Sequence, residues 1–294
     1  MPVHDMSYRA WEGKCRGPLR RWLAIPKFAF MEAVSRRLVI WLFTLGCVQL
    51  LLRLGYLYLL ANQELLVAFR FPTDVLPPAN AFFFKNFIDI QLPFCFALAF
   101  VLGADLIAGD MRHGALVLYV SKPISRWEYF FGKFFVLFSV FMLLTWAQAG
   151  FLFLVQWTIA AENTPWRLYF WNDRAPIFGS ITAYCLVIAV CLTMLCLATS
   201  SLIRNARYFG TAMVVYIIGL LIIGRMLYAE LGDINVRAVS PLSALVDLGY
   251  HQFDLAHRRE MIDPGLIWIS IAAHLTLCAV VFKWRLEKVV RHGR

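Results

Sequence analysis

The sequence predicts an all-α membrane protein, and three observations carry that prediction. Of its 294 residues, 61% are hydrophobic and only 16% charged, where a soluble domain runs near half apolar and a quarter charged. Six windows, 38–60, 87–108, 134–159, 177–199, 209–229 and 265–282, are apolar over roughly the 20 residues that a bilayer-spanning helix needs. Lysine and arginine are also divided unevenly between alternate connections. A mean hydropathy of +0.67 agrees. A disordered chain, a coiled coil, a collagen and an ordinary soluble enzyme are excluded.

The positive charge gives the orientation. Residues 1–37, 109–133, 200–208 and 283–294 hold 19 of the 28 Lys and Arg, and the opposite connections 61–86, 160–176 and 230–264 hold seven. Arg53 and Arg225 lie within the windows. The positive-inside rule then predicts that both termini are cytoplasmic. Topology accounts for the net charge of +10, so a nucleic-acid partner is not needed.

Taken in order, residues 1–37 read as a cytoplasmic N-terminal segment. Within it, 18–37 carry an amphipathic elbow helix: Leu19, Trp22, Leu23 and Phe30 recur at helical spacing, and Arg20, Arg21 and Lys27 take other faces. Such a basic segment suits the headgroup plane, and Pro26 suits the first turn of a short helix over 26–37. A stretch of 37 residues carrying eight Lys and Arg before the first apolar window argues against a cleavable signal peptide. The transmembrane domain covers 38–282, with a cytoplasmic hairpin at 109–133, and 283–294 form a basic tail. The connection 160–176 carries Trp166, Tyr169, Phe170 and Trp171, a set suited to an interface anchor. In 230–264, Ser240 is placed to cap a short helix with Pro241 at its first position, turning Leu242, Leu245, Val246 and Gly249 toward the membrane or neighbouring helices.

Few residues suggest chemistry. Gly13-Lys14 and Gly132-Lys133 are not followed by Ser or Thr and belong to no phosphate-binding loop. There is no HExxH and no GxSxG. Asp89 and Asp105 would stand about 24 Å apart on one helix, too far for a two-carboxylate site. Of the seven cysteines, all but Cys15 fall in apolar stretches, and none forms a CxxC pair. His274 and Cys278 share a helical face without an evident third ligand, so a metal site is not expected. Arg53 and Arg225 should lie near the outer ends of the first and fifth spans. There they would snorkel, pair with a group such as Asp89, or line an outer vestibule for anionic cargo.

The most informative stretch runs from the end of the second span into the third: Gly103-Ala104-Asp105-Leu106-Ile107-Ala108-Gly109-Asp110-Met111-Arg112-His113-Gly114-Ala115-Leu116, then Ser121-Lys122-Pro123-Ile124-Ser125-Arg126, then Gly132-Lys133. Gly114 permits a tight backbone, and Pro123 interrupts any continuous helix while holding Lys122 out of the α region. The result is a compact helix-turn unit attached to two spans.

In this stretch, the chain resembles the membrane (permease) subunit of the type-two ABC transporter family, whose members are mainly exporters. Asp110 matches the family's acidic position. Gly114, Ala115 and Leu116 match its Gly-Thr-Leu, with Ala115 for Thr. Met111 stands where a basic residue is frequent. Pro123, Ser125, Arg126, Gly132 and Lys133 match as they stand.

The resemblance implies a permease subunit, not itself an enzyme, in the inner (plasma) membrane. It would form a translocation path with a second permease, identical or homologous, and take its energy from a separate ABC ATPase subunit. ATP and Mg would bind that partner, with no cofactor on this chain. The hairpin would dock on the ATPase through Asp110, Arg112, Leu116, Tyr119, Ser125, Arg126 and Lys133, with Gly114 and Pro123 setting its shape. Lys122, Leu118 and Ile124 would add charge and apolar contact. A six-span membrane enzyme or a scaffold of an envelope complex is the alternative reading. No residue selects a substrate.

Overall fold

A computed structural model describes residues 24–62, 79–106, 126–159, 177–203, 205–255 and 260–292. Among these residues every regular element is helical. Helix α1 (Ala24–Ser35) precedes α2 (Arg37–Ala61), then α3 (Ala81–Leu106), α4 (Arg126–Leu144), α5 (Trp146–Ile159), α6 (Ile177–Leu202), α7 (Phe209–Leu231), α8 (Pro241–Gln252) and α9 (Pro264–His292). Short 3-10 turns at Ala206–Tyr208 and Ile234–Val239 lead into α7 and α8. Six segments are long and apolar enough to cross a membrane, with α4 and α5 joined as one. Helices are what such sequences must form in lipid, because each backbone group then finds its partner within the segment.

Two spans depart from unbroken helix geometry. At Thr145, between α4 and α5, the hydroxyl donates to the Phe141 carbonyl at 2.8 Å. The Ala149 amide donates to the Thr145 carbonyl at 2.9 Å, which carries the helix across the junction. Pro93 sits inside α3 and supplies no N–H there.

Helix α6 is the centre of the bundle. Of its most apolar window 56% is buried, against 11% for α2 and 17% for α7. The latter two therefore keep wide apolar faces for lipid or another chain. Phe84, Phe87, Ile88, Leu98, Leu137, Phe141, Leu152 and Ile188 are fully enclosed in the shared core. Close approaches use glycine: a methyl group on Gly103 of α3 would lie 2.5 Å from the Phe209 ring at the start of α7.

A helix precedes the first span, and the break between the two falls at Arg36. Its backbone is extended, and its guanidinium bonds the Glu32 carboxylate at 3.3 Å and the Val101 carbonyl at 3.4 Å. Residues 1–23, with Leu19, Trp22 and Leu23 of the expected amphipathic stretch, lie outside the described residues, as does the aromatic connection 160–176. The basic stretch after 282 continues α9 as helix to His292, and Arg285 Nε donates to the Ser201 carbonyl at 3.2 Å.

The connection between α7 and α9 dips into the bundle. A methyl group on Gly224 would lie 3.5 Å from the Arg237 Cα, although Gly224 is about 10 Å along α7 from its end at Leu231. Ser270 Oγ donates to the Ala238 carbonyl at 2.5 Å, and His274 Nε2 lies 3.3 Å from the Val239 carbonyl. These α9 residues stand about 9 and 15 Å below Pro264. From that depth α8 returns. Ser240, fully buried, caps it by accepting from the Ser243 amide at 3.3 Å, and Pro241 occupies its first turn. At its far end the Gln252 carbonyl accepts from Ser180 Oγ at 2.7 Å, one turn into α6. Segment 234–252 is thus a re-entrant helical pair, inserted at the end of the bundle where α3, α6 and α9 begin.

Candidate functional site

The polar residues of the spans collect where the re-entrant segment meets α3 and α6. Lys85 is 1% exposed, and its ammonium pairs with the Asp89 carboxylate one helical turn on. The same ammonium lies 3.6 Å from the centre of the Tyr250 ring on α8. Asp89 also accepts from the Tyr184 hydroxyl of α6 at 2.9 Å. Tyr184 is fully buried, and Gly249 of α8 packs on its ring so closely that a methyl group there would lie 2.7 Å away. Ionised groups at such depth persist only when paired or hydrogen-bonded. Here a cation, an anion, a hydroxyl and an aromatic face satisfy one another across three helices. The cluster fixes the re-entrant helix to α3 and to α6, the most buried span.

A second polar layer crosses α2, α3 and α5. Gln91 Nε2 donates to Gln148 Oε1 at 2.8 Å and to the Gly46 carbonyl at 3.1 Å. Gln49 Nε2 donates to the Phe87 carbonyl at 3.3 Å. Gln91 Oε1 and Gln49 Oε1 have no hydrogen-bond partner among the described residues.

The residues singled out in the sequence are dispersed. Arg53 donates to Asn86 Oδ1 at 2.5 Å and sits 4.9 Å from the centre of the Phe83 ring. It thus meets α3 one turn before Asp89, whose carboxylate is held by Lys85 and Tyr184 and not by either arginine. Arg225 is exposed on α7. Lys85, which hydropathy alone leaves in a connection, belongs to α3 because that helix begins at Ala81. Of the hairpin, Asp110, Arg112, Gly114, Leu116, Leu118, Tyr119, Lys122, Pro123, Ile124 and Ser125 lie outside the described residues. Arg126 opens α4. Lys133 is buried in α4, its ammonium 5.8 Å from the centre of the Tyr129 ring.

His274 is occupied by hydrogen bonds. A carbonyl can only accept, so in the neutral imidazole Nε2–H donates to Val239, and Nδ1 accepts from the Tyr216 hydroxyl at 2.5 Å. Among the described residues no group of three His, Cys, Asp or Glu could hold a metal ion.

These observations describe a helical membrane bundle with a re-entrant segment at one end. A protein-family model described as "ABC-2 family transporter protein" matches residues 35–283. The chain belongs to the ABC-2 transporter family. It is a multi-pass permease subunit of an ABC transporter, a transport component and not the catalyst, and membership implies an ABC ATPase partner in general. No curated protein matches the permease in sequence. The match takes in α2 to α8 and α9 as far as residue 283, and with them both the Lys85 cluster and the hairpin sequence.

Proposed function

We propose that this permease is the membrane half of an ATP-driven exporter in the inner (plasma) membrane, working as a pair with a second copy or homologue and driven by separate ATPase subunits. The observation that carries this reading is the 103–133 sequence, with Asp110, Gly114, Pro123, Ser125, Arg126 and Lys133 in order, joining two packed spans of a chain in the ABC-2 family. Both ends of the hairpin enter buried structure, Leu102 on α3 and Lys133 on α4, so a displacement of the hairpin would be transmitted to the core. The exposed apolar faces of α2 and α7 offer surface to a second permease. Both termini face the cytoplasm on this reading, α1 lies along the headgroup plane, and the re-entrant segment 234–252 closes the outer end.

In the proposed cycle, ATP closes the partner ATPases, the hairpin moves with them, and the bundle changes which end of the path is open. Interface energy concentrates in a few anchors, and Leu116, Tyr119 and Arg126 are the expected ones. Arg126→Glu and Gly114→Val, each first checked for membrane insertion, test the assignment through co-purification with the ATPase and through stimulated ATP hydrolysis. Loss of either property with insertion intact supports energy entry at the hairpin. Wild-type assembly and coupling in both variants would reduce it to a connector.

A further inference from the structure

Two arginines come together where the re-entrant segment packs on α7. A methyl group on Gly224 would lie 3.5 Å from the Arg237 Cα, and Arg225 is the next residue of α7. Standard backbone dimensions then put the Arg225 and Arg237 Cα atoms within about 9 Å of each other, so both guanidiniums can converge on one group. The Arg237 guanidinium lies 6.0 Å from the centre of the Tyr228 ring, one turn further along α7 than Gly224. It is thus directed toward the end of the helix at Leu231. Arg225 and Tyr228, three residues apart, are neighbours on the helix surface.

Among the described residues neither guanidinium has an ion pair or a hydrogen bond, and the Tyr228 hydroxyl has no partner either. The acids of this end are engaged or turned away. The Asp233 carboxylate accepts from the Asn235 amide at 2.9 Å, and Glu230, five residues after Arg225, falls on another face of α7. Arg225 stands about 9 Å along α7 from Leu231, beside the exposed apolar side chains of Ile222, Ile223 and Met226. A cation at such depth is costly unless it reaches a partner. An isologous contact with a second copy would set arginine against arginine. A lipid layer supplies phosphate, which guanidinium forks bind through paired hydrogen bonds.

We propose that Arg225, Arg237 and Tyr228 hold the phosphate of one membrane phospholipid. The two guanidiniums take its charged oxygens, the phenol donates to the same group, and the acyl chains run along Ile222, Ile223 and Met226. The complementarity is to the phosphate, so the headgroup beyond it is not selected. Val214, Val215 and Ile218, nearer the start of α7 and also exposed, stay open to a second chain. The site does not depend on the proposed transport cycle or on which side of the membrane this end faces.

The test is native mass spectrometry of the full-length permease, equilibrated in detergent with phosphatidylglycerol, phosphatidylcholine or the phosphate-free digalactosyl diacylglycerol, all of identical chains. The wild type should retain each phospholipid at least several-fold more than the glycolipid. Arg225→Gln and Arg237→Gln should each cut phospholipid retention several-fold, toward the glycolipid level. Arg207→Gln, in the exposed turn that leads into the other end of α7, should leave the preference intact. Equal retention of the three lipids by the wild type would overturn the site, as would unchanged retention in both Gln variants with unaltered melting temperatures. Bound inorganic phosphate that is lost in Arg237→Gln, without any lipid preference, would assign the arginines to a soluble anion and overturn the lipid. Unchanged retention in Arg225→Gln together with loss of a permease dimer would give this flank to a second copy and overturn it equally.

Discussion

Replacing Lys85 by methionine removes the cation from the cluster that ties α3, α6 and the re-entrant helix together. Lys85 is almost wholly enclosed, while the Asp89 side chain is 25% exposed. Breaking a buried ion pair by removing one partner costs about 3–5 kcal/mol, because the other charge stays behind unpaired. In Lys85→Met the remaining carboxylate keeps the Tyr184 hydroxyl and some access to solvent, so the expected loss sits at the lower end, about 3 kcal/mol. In Asp89→Leu the ammonium, almost wholly enclosed against the Tyr250 face, loses its carboxylate, and the loss is larger, about 4 kcal/mol by the same argument. Replacing both charges by apolar groups of similar size removes the stranded charge and leaves mainly the Tyr184 hydroxyl without its acceptor, a cost of about 1–2 kcal/mol. The double variant is therefore more stable than either single one. Reversible unfolding in mixed bicelles titrated with dodecyl sulfate measures all four proteins. Single variants within about 0.5 kcal/mol of the wild type, or a double variant as damaged as the sum of the two, would refute the reasoning.

Other consequences follow from the same contacts. Gly249→Val drives a branched side chain into the Tyr184 ring and should cost about 1–3 kcal/mol as an overpacked contact, read by the same unfolding assay. Ser240→Ala removes the cap of a buried helix start and should cost about 1 kcal/mol, with faster proteolysis between α7 and α9 as an independent readout. Gln91→Leu should cost no more than about 1 kcal/mol: membrane hydrogen bonds average about 0.6 kcal/mol, and the substitution also removes a buried oxygen that has no partner among the described residues. A loss above 3 kcal/mol would show that the glutamine layer carries far more of the stability than its geometry allows.

The spans were legible because each is a long apolar run, and apolar length is what a bilayer demands. The cap at Ser240 and Pro241 was legible too, since its chemistry is local. The Lys85 cluster was not. Lys85 and Asn86 depress the hydropathy before residue 87, so an apolar window separates Lys85 from Asp89, whereas the helix runs through both from Ala81. Their four-residue spacing was visible, but Tyr184 and Tyr250 lie far away in sequence, and only packing brings them together. The depth of segment 234–252 was hidden for a related reason. Arg237 and Asp247 give it the composition of an exposed connection, yet the fold supplies partners at depth: the Asp247 carboxylate accepts from the Ile262 amide, just before α9, at 3.2 Å. The hairpin signal, by contrast, rests on a sequence pattern alone, since 109–125 fall outside the described residues.

The central claim is that this permease moves its cargo with energy supplied by another chain. ATP hydrolysis by the purified permease alone, measured beside a preparation co-expressed with an ABC ATPase subunit and reconstituted in lipid, tests it most directly. The account predicts background turnover for the lone chain, with a stable complex and robust turnover when the ATPase is present. Robust turnover by the lone chain, or failure of any ATPase from its own genome to co-purify with it, would contradict the account.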